Sequence, residues 1–78
     1  MADIVMPEMG SGVKEGTVVK WMKALGDRVT KGEPVVEIMV EKVSAELESP
    51  ADGVIDKIAY AEGETVGVGE VLAFIREG

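Results

Sequence analysis

Residues 38–50 read IMVEKVSAELESP, and from Val36 to Leu47 apolar and other residues alternate on either side of one charged pair, Glu41-Lys42. If that pair is a two-residue loop, Val40 faces Val43, Met39 faces Ser44, Ile38 faces Ala45, Glu37 faces Glu46 and Val36 faces Leu47. The pairs Val40/Val43, Ile38/Ala45 and Val36/Leu47 then place six apolar residues on one face. A slip of one residue would bring glutamates into that face, so the register is strongly specified. The opposite face sets Glu37 against Glu46, a like-charge pair that is mildly destabilising. The alternation therefore predicts a hairpin with Lys42 at its tip. Its turn chemistry is unusual, because two-residue hairpins favour Asn-Gly, Asp-Gly or another glycine-bearing pair.

Outward from the hairpin, glycines and prolines cut the chain into Val/Ile-rich pieces too short for ordinary helices. DIVM (3–6), GTVVKWM (16–22), RVT (28–30), PVVEIMV (34–40), VSAELE (43–48), GVIDKIAY (53–60), ETV (64–66) and VLAFI (71–75) read as strands. The chain is thus expected to be one all-β domain over residues 1–78, a sandwich or barrel.

A repeat appears at an offset of 37 positions, the distance from Gly16 to Gly53. It aligns Lys20 with Lys57, Gly26 with Gly63, Val29 with Val66, Gly32 with Gly69, Glu33 with Glu70 and Ile38 with Ile75 without a gap. Val18 with Ile55, Asp27 with Glu64 and Val35 with Leu72 extend it. Two such halves should pack as two sheets about a pseudo-twofold axis, their apolar faces inward. The counterpart of Lys42 falls at position 79, so one end of the domain should carry the hairpin tip and the other both termini. Trp21 belongs to the core or its margin, and the methionines are gap-fillers.

With no cysteine and no histidine, the chain lacks disulfides, thiolate metal sites and imidazole acid or base chemistry. A net charge of -7 is the wrong sign for nucleic acid or an anionic membrane surface, which leaves neutral or basic proteins as partners. No segment has the length of a membrane span, and MADIVMPEMG lacks the regions of a signal peptide, so a cytosolic protein or a processed piece of one is expected. Gly10-Ser11-Gly12 is followed by no Gly-Lys-Ser/Thr and no helix start, which argues against a phosphate loop. A carboxylate-pair hydrolase would need a cleft that a chain this short does not build. Nor is Lys42 placed for Schiff-base chemistry, since an exposed tip beside Glu41 offers neither burial nor a neighbouring cation. It is better suited to being modified by another enzyme.

Five segments, MPEMGSGVKEGTVVKW (6–21), GDRVTKGEPVVEI (26–38), the Glu41-Lys42 tip, ELESPADGVI (46–55) and EGETVGVGEVLAFI (62–75), carry a resemblance that covers nearly the whole chain. In order and spacing they resemble the lipoyl domains of dihydrolipoamide acyltransferases from 2-oxo acid dehydrogenase complexes. The resemblance implies a flattened barrel or sandwich of two four-stranded antiparallel sheets. It also implies lipoic acid in amide linkage to Lys42, with Val40, Glu41 and Val43 flanking it as recognition residues. The loop of Glu8, Met9, Gly10, Ser11, Gly12 and Val13 is implied as a second recognition region.

The implied partners are a thiamine diphosphate-dependent dehydrogenase or decarboxylase, dihydrolipoamide dehydrogenase, a lipoate ligase or lipoyl transferase, and the rest of the acyltransferase core. Acidic residues near the tip, Glu37, Glu41, Glu46 and Glu48, would favour docking to basic surfaces. Most members carry Asp-Lys-Ala at the tip, whereas this chain has Glu41-Lys42-Val43, similar to acetoin dehydrogenase acyltransferases. Two other readings compete. A biotin carrier domain shares the fold but usually holds its lysine in Met-Lys-Met, and an unmodified interaction module would use Lys42 only as a turn residue.

Overall fold

Each Val/Ile-rich segment forms a strand in the computed structural model, which describes residues 2–77. In chain order these are β1 (Ala2–Val5), β2 (Glu15–Trp21), β3 (Arg28–Val29), β4 (Pro34–Val40), β5 (Val43–Glu48), β6 (Gly53–Ile58), β7 (Thr65–Gly67) and β8 (Val71–Glu77). Among the described residues they make two four-stranded antiparallel sheets, ordered β1-β8-β6-β3 and β5-β4-β2-β7. Sequential strands therefore often lie in different sheets, and only β4 and β5 are joined by a tight hairpin within one sheet.

The repeat is reproduced residue by residue in the pairing. Thr17↔Met39, Val18↔Ile38, Lys20↔Glu37 and Trp21↔Val36 between β2 and β4 recur as Val54↔Arg76, Ile55↔Ile75, Lys57↔Phe74 and Ile58↔Ala73 between β6 and β8. The register shifts once in each, between Val18 and Lys20 and between Ile55 and Lys57. These matched bulges let each long strand twist across the other sheet.

The repeated acidic residues have a local cause. Asp27 and Glu64 accept hydrogen bonds from the amides of Ala24 and Ala61, at 2.8 and 2.7 Å, and Glu33 and Glu70 do the same for Thr30 and Gly67, at 3.0 and 2.7 Å. Each carboxylate thus closes a turn over the residue three before it. Gly26, Gly32, Gly63 and Gly69 supply left-handed φ values of 89° to 92° in these turns, which side-chain-bearing residues resist.

β1 completes the symmetry out of sequence order. It pairs with β8 as β5 pairs with β4: Asp3↔Phe74 corresponds to Glu46↔Glu37, and Ala2↔Ile75 to Ala45↔Ile38. Where β4 runs through Glu41-Lys42 into β5, the equivalent link from β8 to β1 is open. Ala2 and Glu77, where β1 begins and β8 finishes, accordingly lie at the opposite end of the domain from Lys42; the termini named by the repeat, Met1 and Gly78, lie outside the described residues.

The core comes from the inward faces of both halves. Val18 and Ile55, Val29 and Val66, Val35 and Leu72, and Ile38 and Ile75 are all buried. Trp21 sits at the margin, packed against this cluster, and its indole N–H donates to the Tyr60 carbonyl at 2.8 Å.

Candidate functional site

All five expected hairpin pairs, from Val40↔Val43 to Val36↔Leu47, are present between β4 and β5. The apolar face is not evenly covered, however. Val36, Ile38 and Val40 on β4 are buried, while Ala45 and Leu47 on β5 are half-buried and Val43 is 58% exposed. The cause is topological: β5 is an edge strand, so nothing packs over its outer flank. Val40 faces the core and is no contact surface; it anchors the hairpin root, leaving Glu41, Lys42 and Val43 to project.

The turn itself is under backbone tension. Among the described residues Glu41, at φ 57°, is the one non-glycine with left-handed φ. A side-chain-bearing residue there costs about 1–2 kcal/mol relative to a relaxed conformation. The strain is held by the register on both sides. Lys42, the next residue, is exposed, and its ammonium makes no ion pair or hydrogen bond with another described residue. Lys23 is bound differently, at 3.0 Å from Glu33, and Lys57 lies over the Phe74 ring at 5.9 Å from its centre.

The loop between β1 and β2 comes to the same end. The Val13 amide donates to the Gly10 carbonyl at 3.2 Å, and Gly12 takes φ 80° at the third position of that turn, which calls for glycine. Met9 and Val13 tuck partly against the core, while Glu8, Gly10, Ser11 and Gly12 are exposed. Gly12 and Val13 share a shallow groove with Lys14 to Thr17, Met39, Glu41 and Thr65. The close approach depends on Gly16, where an added Cβ would stand 3.0 Å from Val40 Cγ2 and 3.2 Å from the Met39 carbonyl oxygen.

The two expected recognition regions are therefore brought together, at the end remote from Ala2 and Glu77. Sequence reading missed Lys14, Glu15, Gly16, Thr17, Met39 and Thr65 in the groove, although the hairpin register already put Met39 on the outward face. Of the acidic residues near the tip, Glu41, Glu46 and Glu48 are exposed and Glu37 is half-buried. Among the described residues no three His, Cys, Asp or Glu side chains are grouped to hold a metal. What the site offers is one exposed primary amine on a two-residue turn between paired strands.

Comparison with known proteins gives the following. The family model described as "Biotin-requiring enzyme", covering biotin and lipoyl attachment, matches residues 2–75. The chain is 40% identical over its full 78 residues to a dihydrolipoyllysine-residue succinyltransferase component of the 2-oxoglutarate dehydrogenase complex from Staphylococcus saprophyticus, and spans 18% of that protein. It is 47% identical over 73 residues, 94% of its length, to a dihydrolipoyllysine-residue acetyltransferase component of the pyruvate dehydrogenase complex from Corynebacterium glutamicum, spanning 11% of it. In structure it resembles the lipoyl domain of the 2-oxoglutarate dehydrogenase complex from Azotobacter vinelandii, with TM-score 0.84 and 40% identity, covering 100% of this chain and 99% of that one. A stretch of Kluyveromyces lactis urea carboxylase shares the fold alone, at TM-score 0.82 and 24% identity, covering 96% of this chain and 6% of that protein.

Proposed function

Since the chain belongs to the biotin and lipoyl attachment family, we propose that it is the lipoyl carrier domain of a dihydrolipoamide acyltransferase, with lipoic acid in amide linkage to Nζ of Lys42. The observation that carries this reading is the exposed, unpartnered amine on a two-residue turn whose register is locked by buried β4 residues. The residues fit the group: amide formation needs an accessible primary amine, and the tip is narrow enough to enter another protein's active site. The group supplies, when bound, redox-coupled acyl transfer from a thiamine diphosphate enzyme to coenzyme A, with reoxidation by dihydrolipoamide dehydrogenase.

The domain itself is no catalyst; its residues present and position. Val40 fixes the root of the hairpin, Glu41 holds the turn, and the Glu8–Val13 loop beside it gives each partner a second surface to read. Exposed carboxylates at Glu41, Glu46 and Glu48 favour approach to basic surfaces around partner active sites. β1 begins and β8 finishes away from the tip, which leaves Lys42 clear for a partner. Tethering to a common core would hold the amine near partner sites at about millimolar effective concentration. The partners are the thiamine diphosphate-dependent component, dihydrolipoamide dehydrogenase, the acyltransferase core and the ligase or transferase that loads Lys42. The setting in this reading is the cytoplasm of a bacterium or archaeon.

The test is acylation. The lipoylated domain is offered to the thiamine diphosphate components of the pyruvate, 2-oxoglutarate, branched-chain and acetoin complexes with their substrates. One of them should add its acyl group efficiently, read by intact mass, and the Glu41-Lys42 tip favours the acetoin component. A lipoylated domain acylated by none would refute the carrier role.

A further inference from the structure

On the outer face of the sheet β5-β4-β2-β7, Ser44 stands opposite Met39, Met39 opposite Thr17, and Thr17 opposite Thr65. This row crosses all four strands without a charge, in a chain of net charge -7. The fold does not impose that. The pseudo-symmetric row on the other sheet sets Arg76 and Arg28 on either side of Val54, and the next row on this sheet holds Glu46, Glu37 and Lys20.

Met39 is 42% exposed, a large apolar side chain on the solvent side of a central strand. It lines the shallow groove together with Thr17 and Thr65, and Glu41, the residue before Lys42, lines the same groove. The uncharged row thus begins at Met39, three residues from Lys42, and the charged side chains of Lys14, Glu15 and Glu41 rim the same groove on the side of the tip.

We infer that this groove is a resting site for the modified side chain itself: the lipoyl-lysine arm folds back from Lys42 over Met39, Thr17 and Thr65. The inference rests on the carrier reading. Its occupant is fixed by attachment, because an arm tethered beside the groove samples it at about millimolar effective concentration, so contacts too weak to hold a free ligand populate the docked state substantially. The chemistry matches too. The arm is uncharged and largely methylene, covering a charged row would strip that row of water at a cost, and the polarizable thioether of Met39 is an adaptable contact for a sulfur-bearing ring. Docking shields the dithiolane between visits to partner sites, and release exposes it.

The experiment compares methyl and amide NMR spectra of the unmodified and lipoylated chains, with occupancy of Lys42 checked by mass. The resting site predicts shift changes at the Met39, Thr17 and Thr65 methyls and cross-relaxation between ring protons and the Met39 methyl. In lipoylated Met39→Glu the shift changes that lipoylation causes at the Thr17 and Thr65 methyls should vanish, and a small phosphine should reduce the dithiolane about twofold faster, as expected if roughly half the arms are docked. Lipoylated chains whose changes stop within residues 40–44, with a reduction rate unaltered by Met39→Glu, would overturn the resting site while leaving the carrier role intact. A chain that takes no lipoyl group on Lys42 would sink both.

Discussion

Val40 and Val43 face each other across the turn that carries Lys42, yet Val40 is 3% exposed and Val43 58%. One hairpin pair is thus half anchor and half surface. Val40→Ala should lower unfolding free energy by about 2 kcal/mol, through lost burial and a cavity at the hairpin root. Val43→Ala should change it by no more than about 0.5 kcal/mol. Urea denaturation of both variants checks this, and equal losses would show that the pair is buried as a unit.

The left-handed φ of Glu41 sets a second expectation. Glu41→Gly relieves the side-chain penalty but loosens the unfolded chain, so its net effect should be a gain of about 0.5 kcal/mol or less. Glu41→Val, β-branched and intolerant of positive φ, should lose about 1 kcal/mol or more. The two thermal midpoints should therefore fall on opposite sides of the parent, and a more stable Glu41→Val would contradict the observed turn.

At Gly53 an added Cβ would overlap the Arg76 carbonyl oxygen, a backbone atom of the paired strand, whereas at Gly16 the nearest contact is the side chain of Val40 at 3.0 Å. Gly53→Ala must part β6 from β8 and should cost about 3 kcal/mol, against about 1–2 kcal/mol for Gly16→Ala. Thermal melts of the two variants give the order, and equal costs would mean that the pseudo-symmetric sites pack alike.

Glu33 accepts hydrogen bonds from the Lys23 ammonium and from the Thr30 amide, which hold its carboxyl below the ordinary value of 4.5. A carboxylate whose pKa is lower in the folded state contributes stability above its unfolded value, and loses it as pH falls through the native one. The melting-temperature difference between the parent and Glu33→Gln should therefore be constant near neutrality and shrink below about pH 4.5. A difference that persists unchanged to pH 3 would rule out this contribution.

Much of this was legible in the sequence because it is local. Period-two alternation around Glu41-Lys42 set the hairpin register, and glycines at matched positions marked turns that need left-handed φ. The 37-residue offset predicted which strands would be equivalent. Less legible were properties that depend on the sheet order. The exposure of Val43 follows from β5 lying at an edge, and the Trp21 bond to the Tyr60 carbonyl joins residues 39 apart. The groove needs β7 beside β2, a pairing that no local pattern specifies. The family resemblance, and not the alternation, attached a lipoyl group to Lys42; the structure adds a reason why that amine is accessible.

The central claim is the modification of Lys42, and intact mass with peptide mapping tests it most directly, after expression with lipoate and biotin both supplied. The account predicts one lipoyl increment on the Lys42 peptide, lost in Lys42→Ala, which should fold as stably as the parent to within about 0.5 kcal/mol, and retained in Lys57→Ala. A lipoyl increment on another lysine, or biotin alone on Lys42, would contradict it.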